Sequence, residues 1–432
     1  MTHRNVLHNV EAIRQAWHGD DQEISVFWLP PHHDAGLIGC IFLQLYVGTT
    51  TYLMSPTAFI KRPMQWLEAI CRHRGTYTIA PNFAYEMCVT RSTAEQRAAL
   101  DLSSLATAVN GAEPVQGATL RAFADAFAPA GFRIEAFSPA YGLAEATVMI
   151  SGGTDSPLPV VAHIDRTALQ EDRVTDGAPD DPATVELIGC GPPQGGQDVV
   201  IVDPVTRVRC AIDEVGEIWV AGPSVADGYW GKPDETKQTF GAFLADTGEG
   251  PFLRTGDLGF LRSGELFVTG RVKDLVVLDG RNYYPNDIEL TVQGSHPAFL
   301  SGRGAVFAVI PGQDVAAQLV VVQEVQRQRV GEDELNEMVS AIQTAITKHH
   351  GIQAHSIVLA VPMQIPTTSS GKIQRGQCRQ QFLDRELETL AEWHAPLQAD
   401  PDAAAKKLEA AAKVAEFMKV AATLQQRTPR QD

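Results

Sequence analysis

The first 150 residues alternate between two patterns of apolar and polar positions. Residues 24–29 form a short apolar run typical of a buried strand. Residues 64–74 space their apolar side chains as one face of a helix would. Because strands that alternate with helices stack into layers, this part of the chain predicts an α/β fold of layered sheets and helices.

The pattern changes twice after residue 150. Residues 151–196 are rich in Gly, Pro and Asp, which predicts an irregular insertion or small β elements. Residues 198–278 contain short β-branched runs separated by glycine turns, such as VVIVD, GEIWVAG and GELFVTG. These runs predict a small β-rich subdomain.

A compact α+β unit is predicted after residue 280. Three strands are expected, at residues 305–310, 319–325 and 356–361. The helix between the last two is indicated by apolar residues at helical spacing, which are Leu335, Met338, Ile342 and Ile346. Acidic residues open its first turn and Gly351 ends it. The Ala/Lys/Glu-rich residues 402–426 predict one more helix.

Length and charge narrow the classes of function. The chain has 432 residues, or roughly three domain equivalents. It carries 35 Lys+Arg against 52 Asp+Glu, a net charge of −17, which disfavours nonspecific binding to nucleic acid or to an anionic membrane. The apolar stretch at residues 35–46 is too short for a membrane-spanning helix.

The cysteine pattern bears on metal sites and on the compartment. The 6 cysteines are scattered without CxxC or CxH spacing, so they predict neither a zinc site nor a disulfide framework. Residues 1–10 do not resemble a secretory signal. The reducing cytoplasm is therefore the expected compartment.

Six short segments carry the candidate chemistry, and the first is WLPPHHDAGLIG at residues 28–39. A strand leads into a Pro-Pro turn that presents His32, His33 and Asp34 before an apolar helix. Adjacent side chains diverge on a strand and no third ligand has suitable spacing, so a metal site is disfavoured. These residues are expected to line a cleft or to be structural.

The second and third segments are NGAEP at residues 110–114 and FSPAYGLAEAT at residues 137–147. In each, a strand ends in a glycine-containing turn that carries one carboxylate expected to be buried, Glu113 or Glu145. Ligands favour this edge of an open α/β sheet. Composition alone favours a helix-start carboxylate over a catalytic one at both positions.

The last three segments are RTGDLG at residues 254–259, GRVKDLVVLDGRNYYP at residues 270–285 and PTTSSGKIQR at residues 366–375. Asp257 is expected to be exposed in a tight turn between glycines, and Arg271, taken singly, to be a surface charge. Lys372 lies in a Thr/Ser/Gly-rich loop. This loop is not a Walker A motif, because Pro366 stands where that motif needs Gly and Ile373 where it needs Ser or Thr.

Taken in this order, the six segments resemble those of the adenylate-forming superfamily. Their sequences are most similar to its fatty acyl-AMP ligase branch. The resemblance extends from residue 1 to about residue 393. It implies that the protein uses ATP and Mg²⁺, with Glu145 holding the metal. The adenine contacts that it implies are made by Gly111, Ala112, Glu113, Tyr141 and Gly142.

The resemblance implies roles for charged residues as well. Asp257 and Arg271 would hold the ribose hydroxyls. Lys372 would come from a mobile C-terminal domain and stabilise charge on the α-phosphate and the acyl carboxylate. Lys273 would be the hinge on which that domain swivels.

The resemblance also divides the chain. It implies an incomplete N-terminal adenylation domain at residues 1–272, with an insertion at about 154–189 and the β-rich subdomain at about 198–272. A mobile C-terminal domain would follow at residues 273–395, and a helical tail at 396–432. His33 and Asp34 would line the cleft for the acyl-adenylate.

The sequence departs from the family pattern at its start. Family members carry a Ser/Thr/Gly-rich phosphate loop just before a segment like residues 2–9, and that loop is missing from this sequence. We expect a fragment, an internal start, or a split protein completed by a second polypeptide. The chain alone is then expected to bind AMP weakly and not to turn over ATP. Smaller departures are His32 in place of Tyr and Ala35 in place of Met, both of which affect the acyl pocket.

Three classes of function remain open. The first is activation of a fatty acid to acyl-adenylate and transfer to the phosphopantetheine thiol of an acyl carrier protein, as in polyketide, lipopeptide or lipid biosynthesis. The second is a medium- or long-chain acyl-CoA ligase, and the third is a truncated remnant that binds nucleotide without turnover. The insertion at 154–189 and the GRNYYP turn resemble the acyl-AMP ligase branch, which favours the first class.

Overall fold

The fold is that of a computed structural model, which describes residues 1–17, 19, 21–153, 156, 158–310, 316–326, 331–368 and 371–395. The chain forms two compact units. The first comprises Met1–His163 and Glu186–Thr269, and the second comprises Ile164–Val185 and the described residues from Gly270 onward. Each unit buries its own clusters of apolar side chains.

A parallel sheet of five strands organises the first unit. The strands are β1 (Ile24–Phe27), β2 (Thr50–Leu53), β3 (Tyr77–Ala80), β4 (Thr107–Asn110) and β5 (Phe137–Pro139). They lie in the order β2-β1-β3-β4-β5, and every neighbouring pair is parallel. The predicted α/β layering is therefore confirmed, although the first strand ends at Phe27 instead of residue 29.

Helices precede and connect these strands. They are α1 (His3–Ala16), α2 (Leu43–Val47), α3 (Pro56–Lys61), α4 (Met64–His73), α5 (Asn82–Thr90), α6 (Ala94–Ala98) and α7 (Gly117–Phe127). The predicted helix at residues 64–74 is confirmed as α4, which buries Met64, Trp66, Leu67 and Ile70. It ends at Arg74, whose left-handed backbone (φ +52°) cannot continue the helix.

The segment after β1 packs unusually tightly. The predicted apolar helix begins as a π-helical stretch, Ala35–Phe42, and continues as α2. A Cβ at Gly36 would overlap the carbonyl oxygen of Pro30. The glycine therefore lets the Pro-Pro turn lie directly against the start of this helix.

The predicted insertion contains small β elements, as one of the two sequence alternatives proposed. They are β6 (Val161–Asp165) and β7 (Thr184–Ile188), with the short helix α8 (Arg166–Leu169) between them. The chain passes from one unit to the other within each of these two strands.

An antiparallel sheet forms the predicted β-rich part of the first unit. Its strands are β8 (Asp198–Val202), β9 (Gly216–Ala221), β10 (Leu253–Arg262) and β11 (Glu265–Arg271), in the order β11-β10-β9-β8. Helix α9 (Pro233–Phe240) lies between β9 and β10 in the chain. Trp219 and Phe260 are among the fully buried side chains of this sheet.

The second unit has the predicted α+β character. A hairpin of β12 (Val276–Leu278) and β13 (Arg281–Tyr283) leads into a sheet of β14 (Phe299–Val309), β15 (Gln318–Val325), β16 (Ser356–Ala360) and β17 (Thr389–His394). Its helices are α10 (Pro285–Gln293), α11 (Glu332–His350) and α12 (Arg375–Leu383). The predicted helix is confirmed as α11, which ends at Gly351.

The unit boundaries differ from the sequence-based domains. Residues 164–185 belong to the second unit, whereas the sequence boundary at 272 leaves them in the first domain. Contacts explain this, because Asn282 donates to Asp172 at 2.9 Å and Arg166 lies 3.2 Å from Asp287. The predicted helix in the tail at 396–432 lies outside the described residues. Of the helices that are described, none is both long and apolar enough to span a bilayer.

Candidate functional site

Three of the six segments leave the parallel sheet at the same edge. Residues 28–34 follow β1, Gly111–Glu113 follow β4, and residues 141–145 come shortly after β5. The last residues of β4 and β5 are paired, Asn110 with Pro139. Because carboxyl ends of parallel strands share one edge, these loops border the region where α/β sheets bind ligands.

The loop after β4 is held close to its neighbours. A Cβ at Gly111 would lie 2.7 Å from the carbonyl oxygen of Ala140, so this position needs glycine. Ala112 has a left-handed backbone with φ +69°. Glu113 accepts a 2.5 Å hydrogen bond from the backbone N–H of Phe83, in the first turn of α5. The carboxylate is half-buried, so the expectation of a buried side chain is wrong.

The loop after β5 folds back on itself. The N–H of Tyr141 donates to the carbonyl oxygen of Ser151 at 3.0 Å, and the N–H of Ile150 donates to the carbonyl oxygen of Tyr141 at 2.9 Å. A Cβ at Gly142 would overlap the carbonyl oxygen of Val148. The two sides of this loop therefore pack together too closely for a side chain at position 142.

Glu145 lies at the strained end of the same loop. Thr147, two residues later, has φ +73° and ψ −68°, and the N–H of Val148 donates to the carbonyl oxygen of Ala146 at 3.0 Å. This is the rare and strained form of γ-turn, which concentrates at functional sites. The buried hydroxyl of Thr147 donates to the carbonyl oxygen of Ser224 at 2.8 Å, which holds the turn in place.

Tyr229 is a site residue that the sequence reasoning missed. Its hydroxyl donates to Glu145 at 2.7 Å, across 84 positions of the chain. Glu145 is half-buried, which corrects the expectation of a buried carboxylate. The aromatic residue in the ADGYW run before α9 was the available signal, but only the fold pairs it with Glu145.

Asp257 lies against Tyr141. The Tyr141 hydroxyl donates to Oδ2 of Asp257 at 2.8 Å. Asp257 is only 8% exposed and lies within β10, so the predicted exposed tight turn is wrong. Gly256, which suggested the turn, instead lies where the register of β10 is irregular, between Arg254 and Leu258. Its φ is +73°. A bulge in a strand uses the same left-handed glycine as a turn does.

The Pro-Pro turn after β1 uses its polar residues locally. Asp34 accepts from the N–H of Ala35 at 2.8 Å and thereby caps the π-helical stretch. His33 Nδ1 lies 2.5 Å from Asp34, while His32 is exposed. Within the described parts of the chain, no three His, Cys, Asp or Glu side chains gather as a metal site would require.

The other candidate charges belong to the second unit. Arg271 is exposed at the end of β11 and Lys273 is half-buried in the turn that follows. Lys372 lies in a loop in which its N–H donates to the Thr368 hydroxyl at 3.1 Å and its carbonyl accepts from the Thr368 N–H at 2.9 Å. Gly371, with φ +87°, closes this loop.

A buried ion network lies directly beside Lys273. Arg375 donates to Asp274 at 3.1 Å and to Glu289 at 2.6 Å, and it also contacts Asn286. Burial raises the pKa of Glu289, and the Arg375 guanidinium opposes that rise. Asp274, the residue after Lys273, is thus tied to α10 and α12.

Two protein-family models match the chain. The family model described as AMP-binding enzyme matches residues 1–230. A second model, described as the AMP domain of Disco-interacting protein 2-like proteins, matches residues 273–392. The first match includes Tyr141 and the second includes Lys372, whereas Asp257 and Arg271 lie between the two matched ranges.

Two similar proteins are named as ligases of fatty acids. The chain is 49% identical over 398 residues to the medium-chain-fatty-acid–acyl-carrier-protein ligase JamA of Moorena producens (strain JHB), covering 91% of this chain and 66% of that protein. It is 38% identical over 395 residues to the long-chain-fatty-acid–AMP ligase FadD26 of Mycobacterium marinum, covering 88% and 66%.

A solved structure shares the fold. The fatty acid AMP ligase from Legionella pneumophila matches with a TM-score of 0.63 and 40% identity, over 91% of this chain and 68% of that one. The chain spans about two thirds of the length of the relatives that it matches. The AMP-binding family model covers more than half of the chain, including the loops at the carboxyl edge of the parallel sheet. The chain therefore belongs to the AMP-binding family of adenylate-forming enzymes.

Proposed function

We propose that the protein activates a fatty acid to an acyl-adenylate with ATP and passes the acyl group to the phosphopantetheine thiol of an acyl carrier protein. The observation that carries this proposal is the 2.8 Å hydrogen bond from Tyr141 to Asp257. It joins the segment assigned to adenine with the one assigned to ribose. The name of JamA specifies an acyl carrier protein, which supports the proposal that the acceptor is an acyl carrier protein.

The adenine is proposed to lie against the loops that follow β4 and β5, surrounded by Gly111, Ala112, Glu113, Tyr141 and Gly142. The two glycines let these loops pack tightly, because a side chain at either position would collide with a neighbouring carbonyl group. The Asp257 carboxylate would accept hydrogen bonds from the ribose hydroxyls, with Arg271 as the second ribose contact. A carboxylate can accept several hydrogen bonds, so the bond from Tyr141 does not exclude those of the ribose.

Glu145 fits a magnesium ion that arrives with ATP. Mg²⁺ is usually bound by one or two carboxylates together with substrate phosphates, so a cluster of protein ligands is not required. Glu145 is half-buried, and the hydrogen bond from Tyr229 at 2.7 Å fixes its orientation. When bound, the ion would neutralise phosphate charge.

The first step is attack by a fatty acid carboxylate oxygen on the α-phosphorus of ATP. A new P–O bond forms, the bond to the bridging oxygen breaks, and pyrophosphate leaves. Lys372 is proposed to stabilise the negative charge on the α-phosphate and the acyl carboxylate. His33 and Asp34 would line the cleft that receives the acyl-adenylate.

The second step needs a different arrangement of charges. A thiol attacks the acyl carbonyl and loses its proton to solvent. The C–S bond of the thioester forms, the C–O bond between the acyl group and the phosphate breaks, and AMP leaves. A cation that favours the adenylate hinders this step if it stays in place, so Lys372 is best withdrawn. Lys273 is proposed as the hinge for that movement, because the chain beyond it is anchored by the Arg375 network.

The test supplies preformed acyl-adenylate with either a holo acyl carrier protein or coenzyme A. We expect thioester on the carrier protein, at a rate well above that with coenzyme A. Preference for coenzyme A would replace this proposal with an acyl-CoA ligase. Binding of the adenylate without thioester on either acceptor would support a nucleotide-binding remnant.

A further inference from the structure

Glu217 on β9 is a fully buried carboxylate with a complete set of partners. Its side chain is 0% exposed. Oε2 accepts from Arg254 Nε at 2.9 Å, from Arg254 Nη2 at 2.6 Å and from Trp219 Nε1 at 2.9 Å. Oε1 accepts from the N–H of Gly256 at 3.1 Å. All these partners lie on β9 and β10, in the first unit.

The bond to Gly256 lies in the bulge that carries Asp257. Strand β10 advances from Arg254 to Leu258 while β9 advances only from Trp219 to Glu217, so the residues between are looped out of the ladder. Backbone N–H groups in a bulge lose their regular partner. The Glu217 carboxylate replaces that partner for Gly256.

The bulge directs the Asp257 side chain. The Thr255 hydroxyl donates to the carbonyl oxygen of Ile218 at 2.7 Å and accepts from the N–H of Asp257 at 3.0 Å. The bond from Gly256 to Glu217 on one side and these bonds on the other therefore hold the backbone just before Asp257. The Asp257 carboxylate then meets the Tyr141 hydroxyl.

We propose that Glu217 is a positioning residue for the ribose end of the site: it fixes the β10 bulge that aims Asp257. This proposal rests on the proposed function, because it needs Asp257 to bind the ribose. Glu217 itself would touch no ligand. It acts only through Gly256 and the strand.

A readout specific to the ribose separates positioning from a purely structural role. AMP carries both ribose hydroxyls, whereas 2′,3′-dideoxy-AMP lacks them. We expect the unaltered protein to bind AMP about tenfold or more tightly than the dideoxy compound, as for hydrogen bonds to a charged group. Glu217→Gln should reduce this preference to within about threefold, since an amide cannot accept every bond that the carboxylate accepts.

Two further variants complete the experiment. Glu217→Leu with Arg254→Leu removes both charges together, a change that proteins tolerate better than one unpaired buried charge, and it should also lose the preference. Glu265→Gln is the matched control, because Glu265 is a buried carboxylate of the same sheet that accepts from the N–H of Gly191 at 2.6 Å. That variant should keep the preference.

The outcomes are distinguishable. If the unaltered protein prefers AMP and both Glu217 variants keep that preference while folded, Glu217 does not position Asp257, and the proposed function stands. If the unaltered protein shows no preference, the ribose role of Asp257 fails, and the positioning role fails with it. Isothermal titration calorimetry gives the affinities, and circular dichroism confirms that each variant is folded.

Discussion

The Tyr141 hydroxyl donates a 2.8 Å hydrogen bond to Asp257, although 116 positions of the chain separate the two residues. Tyr141 follows the last strand of the parallel sheet, and Asp257 lies in the antiparallel sheet. The contact therefore joins two sheets of the first unit at the edge where the candidate ligand-binding loops meet. It requires both the β5 loop and the β10 bulge to be in place.

Replacing Tyr141 by Phe should lower the free energy of unfolding and, because the hydrogen bond orients Asp257, should also weaken AMP binding. The substitution removes an intramolecular hydrogen bond to a charged group, and such bonds contribute about 1.5–3 kcal/mol to stability. We expect a loss of stability near the lower end of that range, measured by denaturant unfolding, together with weaker AMP binding, measured by calorimetry. Tyr46→Phe is the control, since its hydroxyl donates to Glu11 at 3.0 Å on the surface; equal losses in both variants would contradict the role of Tyr141.

Gly142→Ala should destabilise the first unit. The new Cβ would overlap the carbonyl oxygen of Val148, so the loop must shift. Overpacking of this kind costs about 1–3 kcal/mol, which denaturant unfolding can measure. Gly376→Ala, at a position in α12 where no atom lies within 4 Å of the added Cβ, should not lower the free energy of unfolding, because a helix favours alanine over glycine. A Gly142 variant of normal stability would show that the loop is looser than described.

Lys372→Ala should slow adenylation much more than thioester transfer. Loss of one preorganised charge-stabilising group costs about 10²-fold or more, and only the first step uses it. The measurement compares pyrophosphate exchange with thioester formation from supplied acyl-adenylate, in a preparation that carries out both steps. Lys348→Ala, an exposed lysine at the end of α11, is the control. Equal losses in the two steps would contradict the assignment of Lys372 to adenylation.

His350 should make the second unit less stable in acid. Burial, helped by the charge of Arg166, lowers the pKa of His350 from 6.5 to about 3. Between these two values the unfolded state binds more protons than the folded state, so stability is complete above about pH 6.5. It is lost as the pH falls towards 3, by at most about 1.4 kcal/mol per pH unit. His350 faces Thr291, whose hydroxyl is 2.8 Å away, and Asp287 at 3.7 Å.

The His350→Gln variant isolates this effect. Burial raises the pKa of Asp287, which acts with the opposite sign, but this contribution is present in both proteins. The free energy of unfolding should therefore fall less steeply between pH 6.5 and 4 in the variant than in the unaltered protein. His296→Gln, half-buried in the same unit, should keep the original slope. Identical slopes for all three proteins would show that His350 is protonated in the folded state.

Local patterns predicted the regular elements because those elements depend on nearby residues. Helix α11 repeats apolar side chains at helical spacing and ends at Gly351, and both signals lie within the helix and its cap. The β-branched runs after residue 198 likewise became strands β8 and β9. Burial of one face is enough to define such elements.

Contacts between distant segments escaped the same reasoning. The partner of Glu145 is Tyr229, and the bulge around Asp257 is held by Glu217 from another strand. From sequence alone, the glycine before Asp257 predicts a turn. Only the strand pairing shows that this glycine belongs to a bulge. Likewise, residues 164–185 are held in the second unit by ion pairs and hydrogen bonds. These contacts join residues far apart in the sequence, so no local pattern predicts them.

The most direct test of the account is AMP binding by the Asp257→Ala variant. Removing the carboxylate should weaken binding by about 1.5–3 kcal/mol, the range for hydrogen bonds to a charged group. Asp198→Ala, at an exposed position on β8, should bind AMP as the unaltered protein does. Isothermal titration calorimetry on the three proteins gives the answer. A weaker affinity in the Asp257 variant alone is the predicted result, and an unchanged affinity in that variant would contradict the assignment of this edge as the nucleotide site.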